Sequence, residues 1–397
     1  MAQGMNVDEA MPAMALDAMP DPVADAEIMD TAEDEAGSRS GILPDVAIQT
    51  LHDRGAIRTP RPFDSNQIQP ASLDLRLGTV AHRVRASFLP GPDRAVSERL
   101  DALTLHQVSL EGGAVLEVGC VYVVPLLEAL ALPEALTAAA NPKSSTGRLD
   151  LFTRVIADRA REFDAIPAGY EGPLYLEISP RTFPVLVRTG SRLSQVRFRQ
   201  SYAPLGVEAL RGLHDQARLV SDAEANITAE GIAVSVDLEP RANGLVGYRG
   251  KHHTGVVDVD APGAHRVSDF WEPLTPNGVK GLILDPDEFY ILASREAVHV
   301  PPTHAAEMRP FDPLVGEFRV HYAGFFDPGF GHGASGTGAR AVLEVRSREV
   351  PFLLEHAQTV GRLVYEPMQA PPRSLYGSVP GSNYQKQGLK LSKHFRD

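Results

Sequence analysis

The stretch LEVGCVYVVPLLEALALPEALTAAANP (Leu116–Pro142) and the stretch LDPDEFYILASREAVHVPPTHAAEMRP (Leu284–Pro310) can be laid over one another without a gap. Tyr122 meets Tyr290, Glu128-Ala129 meets Glu296-Ala297, Pro133 meets Pro301 and Pro142 meets Pro310. Farther on, LYLEISPRTFPVLV (Leu174–Val187) matches AVLEVRSREVPFLL (Ala341–Leu354), and SRLSQVRF (Ser191–Phe198) matches QTVGRLVY (Gln358–Tyr365). One unit is therefore written twice. Inside each copy the apolar residues fall in short runs of Val, Leu and Tyr broken by Gly or Pro, which is strand spacing. The expectation is a mainly β protein of two tandem distorted β-barrels, jelly-roll-like, with a few short helices.

Composition sets the outer bounds. At 397 residues, with 43% hydrophobic and 22% charged residues, the chain is long enough for two domains with sizeable cores. A formal charge of −13 argues against a general nucleic-acid partner, because phosphate contacts need a basic face. The single cysteine, Cys120, excludes an intrachain disulfide and any multi-cysteine zinc site, and fits a reducing compartment. No run approaches the roughly 18 to 20 apolar residues of a membrane helix, and the acidic N-terminus lacks the basic and apolar regions of a secretory signal. A cytoplasmic protein without membrane partners is expected.

Residues 1–40 stand apart. Met1 to Gly37 holds ten acidic residues, no Lys or Arg, and six of the eight methionines. Such a segment buries too little to offset its ordering entropy, and reads as a disordered acidic tail. Folded sequence begins near Gly41, where Asp45 can cap a short helix that turns Val46, Ile48 and Leu51 inward, with Gly55 at its C′ position. Leu73, Leu75 and Leu77 alternate with Asp74 and Arg76, the pattern of a half-buried strand. Further strands are expected over Ala114–Val124, Arg154–Ala157, Leu174–Ile178, Val185–Val187 and Arg192–Phe198. Val207–Thr228 reads as a connector, placing the units at 41–225 and 226–397.

The chemistry concentrates in Lys143-Ser144-Ser145-Thr146-Gly147-Arg148. Two hydroxyls, two fixed cations and a glycine can seat a polyphosphate, since hydroxyl, amide and guanidinium donors all suit anionic oxygens. The same string also suits a solvated turn. In the second copy its place is taken by Phe311-Asp312-Pro313-Leu314-Val315-Gly316, without the hydroxyls or the cations, whereas Glu344 matches Glu177. One functional pocket per chain is the simplest expectation. The polar C-terminal stretch through Gly388 reads either as a frayed tail or as a flap. His252-His253 reads as a loop in preference to a metal site, Trp271 and Tyr290 as filling of the second core in preference to a base stack, and Asp158 as an ion-pair partner of Arg159 in preference to a Mg²⁺ ligand.

Three motifs in order, QPASLDLRLG (Gln69–Gly78), KSSTGRLDLFTRVIADR (Lys143–Arg159) and GYEGPLYLEI (Gly169–Ile178), resemble the dCTP deaminases of the trimeric dUTPase-like fold. HYAGFFDPGFG (His321–Gly331), AVLEV (Ala341–Val345) and GSNYQKQG (Gly381–Gly388) extend the resemblance into the second copy. It implies phosphate binding by Lys143, Ser144, Ser145 and Arg148, with Lys143 in place of the more usual Arg. It makes Glu177 the general base, with the Ala157 carbonyl and Ser144 placing the water and Arg159 orienting Glu177 or the base. Tyr376, Tyr384, Lys386 and Gln387 would close over the nucleotide. It also implies a homo-oligomer with sites between barrel units, dCTP as substrate and dTTP as a candidate inhibitor. Zinc deaminases use a His/Cys/Cys site that this chain cannot build, so a metal-free carboxylate route is expected, with Mg²⁺ only as the triphosphate's counterion. Two other functions stay open: a dUTP diphosphatase, alone or after deamination, with Asp164 as a candidate water-placing carboxylate, and a non-catalytic nucleotide sensor.

Overall fold

The structure, a computed structural model, describes residues 40–222, 224–275, 281–310, 318–321, 324–332, 338–378, 384–385 and 387–397. The acidic N-terminal tail, the Phe311–Gly316 stretch and Lys386 lie outside them.

Short antiparallel strands dominate, and the two copies share one topology. In the first half, Arg192–Gln200 lies between Thr137–Pro142 and Ser72–Arg76. In the second, Thr359–Pro367 lies between His304–Pro310 and Gly231–Asp237. Glu171–Pro180 runs between Leu151–Ala157 and Val121–Ala131, just as Ala339–Ser347 runs between Phe318–His321 and Phe289–Val298. Even a local tie recurs: the Tyr122 hydroxyl accepts the Glu117 amide at 3.2 Å, and the Tyr290 hydroxyl accepts the Asp285 amide at 2.9 Å. The repeat is therefore structural, with curled sheets in each half.

The first helix, Asp45–Asp53, buries Ile48 and Leu51 but leaves Val46 43% exposed. Asp45 opens the helix rather than capping it from outside; its carboxylate accepts the amides of Val46, Arg373 and Ser374. At the other end Gly55 adopts φ +79, and the Gly55 and Ala56 amides bond to the His52 and Leu51 carbonyls. That pair of bonds is a Schellman stop, which glycine permits without strain. The run expected over Ala114–Val124 divides into Ala114–Leu116 and Val121–Ala131, because Gly119 turns the chain at φ +76. The connector contains a helix, Val207–Ala217, which ends on left-handed Arg218 and packs Leu210 into the second core.

Two differences from the sequence pattern matter for the site. Ser72–Arg76 is buried on both faces, not one. Arg76 is fully buried with Glu128 at 2.7 Å, and Asp74 is buried beside Lys143 and Arg192. Trp271 fills the first core rather than the second, packing near Phe183, Phe289 and Phe395, while Tyr290 belongs to the second. The halves thus interlock. Arg346 of the second half also pairs with buried Asp150 of the first and donates to Thr182 at 3.0 Å.

Candidate active site

The hexad begins where the strand Thr137–Pro142 ends. Lys143 is still extended, and Ser144–Gly147 make one helical turn in which the Thr146 and Gly147 amides return to the Lys143 carbonyl. Ser145, Thr146 and Arg148 are buried. This turn lies on a cavity of about 140 Å³ lined from both halves of the chain. Asp74, Lys143, Ser144, Ser145, Arg148 and Arg192 come from the first half. Phe326, Asp327, Glu344 and Lys393 come from the second, together with Tyr376, Tyr384 and Gln387 of the C-terminal arm.

Arg148 joins these parts. Its guanidinium donates to Gln387 Oε1 and to the Lys390 carbonyl, each at 3.0 Å, and lies 3.8 Å over the Tyr384 ring. Its Nε is 3.8 Å from Glu344 Oε1. Glu344 is buried, and burial pushes its carboxyl up to about 8 against the partial opposition of Arg148. A carboxylate in that range can take a proton near neutral pH. Asp327 is buried beside Arg197 at 3.1 Å, and burial raises its carboxyl as well. Arg197, from the first half, lies 4.0 Å over the ring of Phe325. Gly329 holds φ +95 where the Asp327–Phe330 turn meets the arm; a Cβ there would fall 2.8 Å from the Leu375 Cβ. Only glycine fits that approach.

Glu177 is elsewhere. Its Oε1 accepts Arg154 Nη2 at 2.6 Å and Nε at 3.0 Å, and Oε2 is buried without a donor. Arg154 lies 3.5 Å over the Phe163 ring and donates to Ser87 at 2.8 Å, so the buried carboxylate is closed in by a guanidinium that is itself held. The expected grouping of Glu177 with the hexad is thus replaced by Glu344 with the hexad. The physical reason is that the second half lies against the hexad, while the first half's own carboxylate is sealed by an ion pair. The Ala157 carbonyl accepts the Ala160 amide at 3.3 Å and is not on the cavity. Arg159 is exposed at left-handed φ +61 and does not orient Glu177. Asp158 accepts the Val96 amide at 2.7 Å instead of pairing with Arg159. Asp164 accepts the Val155 amide at 2.7 Å away from the cavity, and its burial pushes the carboxyl up to about 7.

The sequence reading missed Asp74, Arg192, Asp327 and Lys393 as lining residues. Asp74 was hidden on the polar side of a strand that read as half-buried, and Arg192 at the start of an expected strand. The asymmetry of the repeat held the clue to Glu344: only one copy keeps the hexad, whereas both keep the glutamate. Among the described residues no group of three His, Cys, Asp or Glu could hold a metal ion, and no helix is long and apolar enough to cross a membrane.

Two family models match the chain. Residues 39–202 match the family model described as 2'-deoxycytidine 5'-triphosphate deaminase (DCD) N-terminal domain, and residues 207–395 match the corresponding C-terminal domain. The crystal structure of 2'-deoxycytidine 5'-triphosphate deaminase from Agrobacterium tumefaciens is 63% identical, with a TM-score of 0.83, over 87% of this chain and 99% of that one. A dCTP deaminase of Haloarcula marismortui is 33% identical over 171 residues, 41% of this chain and 82% of that protein. A relative from Sulfurihydrogenibium, named as a dUMP-forming dCTP deaminase, is 29% identical over 160 residues, 40% of this chain and 82% of that protein.

Proposed function

The chain belongs to the 2'-deoxycytidine 5'-triphosphate deaminase family, and from that premise we propose that it hydrolyses dCTP to dUTP and ammonia in the cavity between its halves, with Glu344 as the general base. The observation that carries the assignment is the Arg148–Glu344 approach of 3.8 Å, which joins the hexad of one half to a buried carboxylate of the other.

In this reading the ionised Glu344 takes a proton from a water whose oxygen bonds to C4 of cytosine. The tetrahedral carbon then releases the amine as the same carboxyl returns the proton, so the C4–N bond breaks and ammonia leaves. Arg148 keeps part of the carboxylate ionised and ties the arm down over the base. Tyr376, Tyr384 and Gln387 form that cover, and Lys143, Ser144, Ser145 and Arg192 receive phosphate oxygens. Mg²⁺ enters as the triphosphate's counterion. Sites between barrel units extend to a homo-oligomer in the same scheme, and dTTP is a candidate inhibitor because it carries the same triphosphate.

The dUMP-forming names among the relatives favour one second reading, in which dUTP is cleaved further to dUMP and pyrophosphate. Incubation with dCTP and Mg²⁺, following ammonia, dUTP, dUMP and pyrophosphate together, tests both. Ammonia with dUTP supports the first reading, and ammonia with dUMP and pyrophosphate the second. Binding of dCTP without turnover would contradict both and leave a nucleotide sensor.

A further inference from the structure

Among the described residues four cations line the cavity: Lys143, Arg148, Arg192 and Lys393. Contacts within the protein account for three. Arg148 is held by the arm, and Lys143 and Arg192 share the carboxylate of Asp74. Lys393 differs. It comes from the last few residues of the chain, and among the described residues its ammonium makes no ion pair.

Its backbone is nevertheless fixed on every side. The Ser392 hydroxyl is buried and donates to the Ser145 carbonyl at 2.8 Å, which ties the segment to the hexad itself. The next residue, His394, is buried with Nε2 2.8 Å from the Val259 carbonyl. The Lys393 amide donates to the Tyr384 hydroxyl at 3.2 Å, and its carbonyl accepts the Gly263 amide at 2.9 Å. Beyond it, Phe395 packs against Phe183 and Trp271. The side chain therefore starts from an immobile point and lines the cavity.

Lys143 and Arg192 act on it against Asp74 and Asp260, and Asp260 is already engaged by Arg188 and Ser191. Burial and then Lys143 push the Lys393 ammonium below the usual lysine range, with Arg192 acting the same way and Asp74 and Asp260 opposing. A third cation beside two that already share one carboxylate is unfavourable unless a dense anion joins them. The cavity is also polarised: Glu344 neighbours Arg148, whereas Lys393 neighbours Lys143, Asp74 and Arg192. We infer that Lys393 is a polyphosphate-binding residue, holding the terminal phosphates of the nucleotide with Lys143 and Arg192 while the base lies at the Glu344 end. The inference rests on the proposed deamination only for the identity of the nucleoside.

The test compares wild type with Lys393→Met and Lys393→Arg, using dCTP and dCMP as substrates and inorganic tripolyphosphate as a competitor. Losing one charge-assisted hydrogen bond predicts a KM for dCTP raised about ten- to hundredfold in the methionine variant, with kcat little changed. The effect should shrink for dCMP, the arginine variant should recover most of the loss, and the tripolyphosphate inhibition constant should rise in parallel. An unchanged KM, an equal penalty on dCTP and dCMP, or failure of arginine to restore binding would overturn the assignment. If the methionine variant is insoluble, Lys393→Gln serves the same comparison. Should wild type not deaminate dCTP at all, the reading of the reaction fails, and calorimetric binding of tripolyphosphate to wild type and variant still decides the role of Lys393.

Discussion

Two glutamates occupy equivalent places in the repeat and meet opposite environments. Glu177 faces the Arg154 guanidinium at 2.6 Å, whereas Arg148 stands 3.8 Å from Glu344 at the cavity. The folded-state pKa of Glu344 is therefore raised, from about 4.5 to about 8. Between those values the folded protein holds a proton that the unfolded chain has released, so this group's contribution to stability falls as pH rises through that window. Glu344→Gln should accordingly raise the melting temperature at pH 8 relative to wild type, and the gain should vanish near pH 4, as a thermal melt at each pH would record. An unchanged melt at pH 8 would contradict the buried, poorly compensated carboxylate. The same titration predicts that kcat/KM for dCTP rises with pH on its acid side and levels near 8, since only the ionised form accepts a proton. Nothing in AVLEV, as a string, distinguishes its glutamate from the one in LYLEI. The difference lies in what covers each, and cover is a long-range property.

The elements around the cavity are held by contacts that local sequence does not announce. The alternation of Leu73, Leu75 and Leu77 correctly marks a strand, but Asp74 and Arg76 read as its wet face because their partners Lys143, Arg192 and Glu128 are 52 or more residues away. The arm behaves likewise: its tyrosines and glutamine suit a flap, yet the ties that fix it come from Arg148 and from the turn at Gly329. Gly329→Ala should therefore displace Tyr376, lower kcat/KM for dCTP by about tenfold or more, and cost on the order of 1–3 kcal/mol from the strained left-handed backbone; steady-state kinetics and chemical denaturation would check both. Trp271→Ala removes a fully buried ring from the first core and should destabilise the protein by about 3–5 kcal/mol. Because that tryptophan belongs by sequence to the second half, the denaturation midpoint of the first half's core should fall with it.

At the scale of the whole molecule, the two copies bring different residues to one cavity. One half contributes the KSSTGR turn, the other places the buried Glu344 on the cavity, and the described lining residues come from both. The repeat, the mainly β class and the hexad were legible because they depend on local pattern and on the order of motifs. Which glutamate lies against the hexad was not, because it depends on which half faces which, and a sequence register cannot express that. Neither half expressed alone should deaminate dCTP, even where it folds. The decisive comparison is ammonia release from dCTP by Glu344→Gln and Glu177→Gln under identical conditions. The account predicts that Glu344→Gln loses roughly 10²- to 10⁴-fold in kcat, while Glu177→Gln keeps activity within a few-fold of wild type. Loss of activity in Glu177→Gln with retention in Glu344→Gln would contradict it.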